Sequence, residues 1–136
     1  MGGAARAEAP GQGAVSATSA TALLLVALGG ALGSVARHLV SVAALGALGA
    51  GFPWGTLAVN VLGSAAIGVA AGTGVAGGPR LLVVTGFLGG FTTFSAFGLD
   101  TGLLFERSPV LAAAYVAGSV GLGLAAFACA WWLFRR

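Results

Sequence analysis

The chain has 136 residues, 58% of them hydrophobic, with six arginines, three acidic groups and no lysine. A soluble domain carries about a quarter charged residues, and the 7% found here cannot coat a water-facing surface. The net charge of +3 comes from arginines scattered along the chain, so there is no basic stripe of the kind nucleic acid requires.

These numbers describe one small multi-pass membrane domain, and its long apolar segments make an all-α membrane protein the expectation. Residues 1–21, beginning "MGGAARAEAPGQGAVSATSA", are small and polar, without apolar periodicity. They bury too little surface to offset their ordering entropy and are expected to form a disordered tail ahead of a transmembrane domain at 22–136. A rival reading takes Leu23–Gly33 as the core of a signal peptide cleaved after Ala36, but the apolar stretch continues past Arg37, which favours a true span. A dinucleotide-binding turn at "LLLVALGGALGS" lacks the full glycine spacing and a following acidic residue.

A span needs about 20 mostly apolar residues. Four segments qualify: Ala22–Leu45, Thr56–Ala76, Leu81–Phe105 and Val110–Phe134. The connectors "GALGAGFPWG", "GTGVAGGPR" and "ERSP" punctuate them, and Trp54, Trp131 and Trp132 fall near span ends, where aromatic rings suit the interface.

The first span contains Arg37 and His38. An arginine at mid-bilayer costs roughly 2.5–3.5 kcal/mol on insertion scales, so Arg37 either snorkels to the interface or draws anions into a pore vestibule. His38 has no ligand partner at metal spacing and reads as interfacial. Arg80, Arg135, Arg136 and distant Arg6 share one side of the membrane, and Arg107 and Arg37 the other. That bias is weak, so insertion both ways round is compatible with it, with a tilt toward a cytoplasmic C-terminus.

In the second span, Asn60 offers two donors and one acceptor. It serves either as glue between helices or as a donor to a passing anion.

The third span carries "GFLGGFTTFSAF" at its middle. Each glycine weakens a helix by about 1 kcal/mol relative to alanine, and threonine hydroxyls compete for backbone partners. Gly89-Gly90-Phe91-Thr92-Thr93 therefore reads as a break between half-helices Leu81–Leu88 and Phe94–Phe105. The competing reading is a kinked, continuous helix with a GxxxG seam from Gly86 to Gly90. Broken backbone at this depth is tolerated only where protein or a cavity satisfies it; freed carbonyls attract a cation and a half-helix N-terminus an anion. Phe94 and Phe97 are three apart and share a helical face; their electropositive edges can solvate a small anion, or the rings simply pack.

Cys129, in the fourth span, is the only cysteine and reads as a small hydrophobe in the packing. One histidine and one cysteine far apart form no nucleophile–base pair, so an enzyme is not expected.

Three stretches together resemble the Fluc (CrcB) fluoride channel family: "GGALGSVARH", "WGTLAVNVLGSAAIG" and "GFLGGFTTFSAF". The resemblance covers Leu24 to Arg136. It implies a fluoride-selective channel in the cell (inner) membrane that exports cytoplasmic fluoride passively and so reduces its toxicity. It implies four spans with the third broken near its middle, assembled as an antiparallel dual-topology dimer, either of this chain with itself or with a sister subunit. A structural, untransported sodium ion would be held at the dimer centre by the backbone carbonyls of Gly89 and Thr92. Asn60, Phe94 and Phe97 match the family's pore residues, and Arg37 its pore-mouth arginine. Thr93, Ser95, Tyr115 and Ser119 correspond to groups lining the path; Tyr115 and Ser119 are four apart, hence on one helical face. The chain departs from the family at Ala96, where a threonine is usual, at Gly123, which shortens a hydroxyl row, and at Asp100, where glutamate is expected.

Two other functions compete. A small four-span drug or cation transporter wants a carboxylate within the membrane, and only Asp100, toward one end of the third span, offers one. A packing subunit would explain the pairs Gly29–Gly33 and Gly68–Gly72 but leaves Asn60 and Thr92–Ser95 idle.

Overall fold

The structure, a computed structural model, describes residues 16 and 18–135. Among these residues every regular element is helical, and four crossings are long and apolar enough to span a membrane. Helix α1 (Ala20–Leu48) has 29 residues, about 43 Å at 1.5 Å per residue, so it overreaches the hydrocarbon core of about 30 Å. Helix α2 is Trp54–Thr73. The third crossing comes in two pieces, α3 (residues 77–91) and α4 (Phe94–Arg107). Helix α5 is Pro109–Phe134.

The ends are set by caps. The expected tail, 1–21, falls mostly outside the described residues, but its boundary moves: Ser19 accepts the Ala22 N–H at 3.2 Å and starts α1 at Ala20, two residues before the expected span. Helix α2 stops at Thr73 instead of Ala76 because Gly74 takes a left-handed conformation, φ 69°. Between α4 and α5 the connector shrinks to Ser108. Its N–H reaches Leu104 O at 2.7 Å to close one helix, and its Oγ accepts the Leu111 N–H at 3.3 Å to open the next. Pro109 then occupies the first turn, where no N–H is required.

The crossings pack in two parallel pairs, α1 along α3 and α2 along α5, while α4 leans on α5. Both pairs rest on glycine. A Cβ on Gly29, Gly33 or Gly90 would collide with the backbone of the facing helix, at Leu82, Phe87 and Gly30 respectively. On the other pair, a Cβ on Gly68 would sit 2.5 Å from Phe127 O. Water supplies no driving force between helices in lipid, so backbone contact and dispersion hold such pairs together. Within α3, residues Arg80–Leu88 are wound as a π-helix, a rare geometry, along the stretch that meets Gly29.

The outer faces are apolar. Leu24, Leu28, Leu32 and Leu39 of α1 are all exposed, as expected of side chains facing acyl tails. Cys129 is exposed too, so it is not part of the internal packing expected for it. Hydrophobicity alone does not say whether a residue faces a neighbour or lipid, since both are apolar.

Candidate functional site

The third crossing opens at two residues. Thr92 (φ −82°, ψ 156°) and Thr93 (φ −151°, ψ 124°) are extended. Gly89 and Gly90, expected to belong to the break, are helical. The Gly86–Gly90 seam and the break thus coexist: the glycines bring α3 against Gly29 and Gly30, and the threonines end it.

Each threonine caps one side. Thr92 Oγ1 and Thr92 N–H both reach Leu88 O at 3.0 Å, finishing α3. Thr93 Oγ1 accepts the Ala96 N–H at 3.2 Å as N-cap of α4, and lies 3.2 Å from Ser95 Oγ. The exposed backbone between them is met from α2. Asn60 Oδ1 accepts the Thr93 N–H at 2.8 Å, and Asn60 Nδ2 donates to Thr93 O at 3.0 Å. Ser64 donates to Asn60 O at 2.7 Å one turn on, and Gly63 leaves room for the Thr92 methyl group.

Two cavities flank this bridge, each of about 270 Å³. One is bounded by Asn60, Ser64, Gly89 and Thr92. The other is bounded by Ser34, Arg37, His38, Thr56 and Thr93. Arg37 therefore shares a cavity wall with the break.

Aromatic rings continue the line. The Phe94 and Phe97 centroids are 5.5 Å apart, and Phe97 lies 5.3 Å from Tyr115. The two phenylalanines differ in surroundings, however: Phe94 is 84% exposed, whereas Phe97 packs against the cluster of Leu104, Ala112 and Tyr115. Phe52 meets Tyr115 edge-on at 5.4 Å, and Tyr115 OH points to Asp100 Oδ2 at a long 3.5 Å. One turn further along α5, Ser119 Oγ is buried with no hydrogen-bond partner. A buried hydroxyl left unpaired within the chain is uncommon and is as a rule met by water or an ion.

The structure thus gathers Asn60, Thr93 and Ser95 into one hydrogen-bonded group and Phe94, Phe97 and Tyr115 into a row of rings. Arg37 and Ser119 sit at the margins. Phe94, Ser95 and Gly89 face outward from the subunit. Ser64, Gly63 and Phe52 were not singled out by sequence reasoning; the four-residue spacing of Asn60 and Ser64 in "NVLGS" was the signal for the first.

Residues 24–131, a segment holding every one of these groups, match the family described as CrcB-like protein, Camphor Resistance (CrcB). The chain belongs to this family. It is 56% identical over 109 residues to a protein of Rhizobium etli, covering 76% of this chain and 87% of that one. It is 52% identical over 119 residues to a protein of Chelativorans sp., covering 83% and 95%. A Cereibacter sphaeroides protein is 53% identical over 108 residues, covering 77% and 87%. All three relatives carry the name fluoride-specific ion channel FluC. Membership in the CrcB-like family together with four apolar crossings makes the chain a multi-pass membrane protein.

Proposed function

We propose that this chain is a fluoride-specific channel of the cell (inner) membrane, working as a passive exit for cytoplasmic fluoride. The observation that carries the reading is the opening at Thr92–Thr93, bridged by Asn60, in a chain that over 76% of its length is 56% identical to a protein named as a fluoride-specific ion channel. Hydrogen fluoride is neutral and crosses lipid, whereas fluoride is charged and trapped. A conduit for the anion alone lets it leave down its gradient without coupling to an energy source.

The chemistry suits a small, strongly accepting anion. Asn60 Nδ2 carries two hydrogens, and Thr93 O takes one, which leaves the other for a visitor. Ser95 and Ser119 add hydroxyls, Phe94 and Phe97 add positive ring edges, and Arg37 adds a charge that draws anions to the mouth. Chloride, larger and a poorer acceptor, gains less from the same donors.

We also read the assembly as an antiparallel dimer of this chain. Irregular backbone at membrane depth must be buried in protein or face water. In one subunit Gly89 and Ser95 are exposed and Phe94 is 84% exposed, and a second subunit would cover them. The weak arginine bias supports opposed insertion, and a sister chain is the alternative partner. A sodium ion held between two such breaks belongs to the same reading. Gly89 O has lost its helical donor, since the Thr93 N–H goes to Asn60, and the amide four residues beyond Thr92, Ala96 N–H, is already taken by Thr93 Oγ1. These two carbonyls would hold the ion, which would supply charge to satisfy oxygens that no donor reaches.

Liposomes loaded with potassium fluoride test the function. With purified protein, adding a potassium ionophore is expected to release fluoride; no release, or chloride release at a similar rate, overturns the reading.

A further inference from the structure

We infer that Asn60 is a positioning residue: it holds the third crossing open and so presents the Gly89 carbonyl. In an unbroken α-helix each amide donates to the carbonyl four residues back, so the Thr93 N–H would close on Gly89. Here it goes to Asn60 Oδ1 at 2.8 Å, while Nδ2 of the same side chain donates to Thr93 O at 3.0 Å. One carboxamide therefore satisfies both backbone groups of Thr93, as a neighbouring strand would, and allows the extended φ of −151°.

The same face of α2 is cut to fit in two further ways. Gly63 has no room for a Cβ, because the Thr92 methyl group occupies that space. The Ser64 hydroxyl donates to the Asn60 carbonyl at 2.7 Å. Asn60, Gly63 and Ser64 thus form a cradle for two extended residues.

Removing the carboxamide takes the acceptor away from the Thr93 N–H, and an unpaired amide at membrane depth is costly. The nearest replacement is Gly89 O, one turn below. Helix α3 then extends through Thr93, and the Gly89 carbonyl is consumed. Asn60 consequently serves two ions through two atoms: its donor faces the anion path, and its acceptor keeps a cation ligand free. This rests on the sodium reading only for what uses the carbonyl.

Carbonyl NMR resolves the matter. Gly89 is one of four glycines followed directly by another, with Gly2, Gly29 and Gly77. Full-length protein labelled with carbonyl-13C and 15N glycine reports those carbonyls alone, through the amide that follows each. In sodium-free micelles Asn60→Ala is expected to move the Gly89 carbonyl downfield, to the position of a hydrogen-bonded helical carbonyl. Asn60→Asp keeps an acceptor for the Thr93 N–H and is expected to leave it near the wild-type position. An unmoved resonance in Asn60→Ala overturns the inference, as does a helical position in Asn60→Asp, which stands as the test if Asn60→Ala does not fold. Sodium is expected to shift the wild-type Gly89 resonance; if it does not, the sodium reading fails while the two variants still decide the role of Asn60.

Discussion

The two faces of the third crossing solve opposite problems with adjacent residues. Toward α1, Gly86 and Gly90 bring backbone against backbone, and a Cβ on Gly86 would lie 2.9 Å from Gly29 Cα. Toward α2, Thr92 and Thr93 separate backbone from helix and give it to Asn60. The first contact is built on glycine backbone; the second is polar and bordered by cavities of about 270 Å³. The rigid contact makes the open one affordable: α3 is fixed along α1 up to Phe91, so only two residues need to leave the helix.

The largest effect is expected on the glycine face. Gly33→Leu puts a branched side chain where even a Cβ would collide with Phe87. Overpacking of a filled site costs about 1–3 kcal/mol, and more where backbone cannot yield, a large share of a stability of about 5–15 kcal/mol. Loss of monodisperse protein in detergent is the expected result; a normal yield and melting temperature would show that α1 and α3 can part without harm.

Next comes Asn60→Asp on the open face. Two unit charges 4 Å apart repel by about 4 kcal/mol at an effective dielectric of about 20, about a thousandfold in rate. Fluoride efflux from liposomes should therefore stop although the protein folds. Unaltered flux would remove Asn60 from the path and leave it only the bridging role.

The same contrast explains what the sequence disclosed. Four spans followed from apolar length, because the hydrocarbon thickness sets a minimum that 20 to 30 residues must meet. A break near "GGFTT" followed from weak helix formers, but its position did not. The cost of a helical glycine, about 1 kcal/mol, is outweighed at Gly90 by close contact with Gly30. The break accordingly shifts to Thr92–Thr93, where both the hydroxyls and Asn60 offer other partners. The Asn60–Thr93 pair joins residues 33 apart, and no local pattern encodes it. Nor does apolarity distinguish Phe97, turned inward, from Phe94, turned out. The donor inventory of the site was legible; its internal wiring was not.

A smaller effect separates the two rings. Phe94→Ile removes a ring edge from an exposed position whose nearest ring, Phe97, lies 5.5 Å away. Aromatic contacts contribute about 1 kcal/mol, about fivefold in rate. Fluoride efflux should slow by about that factor, with the assembly state in sedimentation unchanged. Wild-type flux would leave the exposed ring without a part in conduction.

The smallest effect tests what a glycine means when nothing touches it. Gly121 on α5 is exposed, and beyond its own stretch of helix backbone no atom lies within 4 Å of where its Cβ would stand, in contrast to Gly33. If Gly121 faces acyl chains, Gly121→Ala adds only helix propensity, at most about 1 kcal/mol. The melting temperature should hold or rise slightly, with flux unchanged. A clear drop in melting temperature would mean that α5 meets another subunit at Gly121, and that this outer face is as closely packed as the seam between α1 and α3.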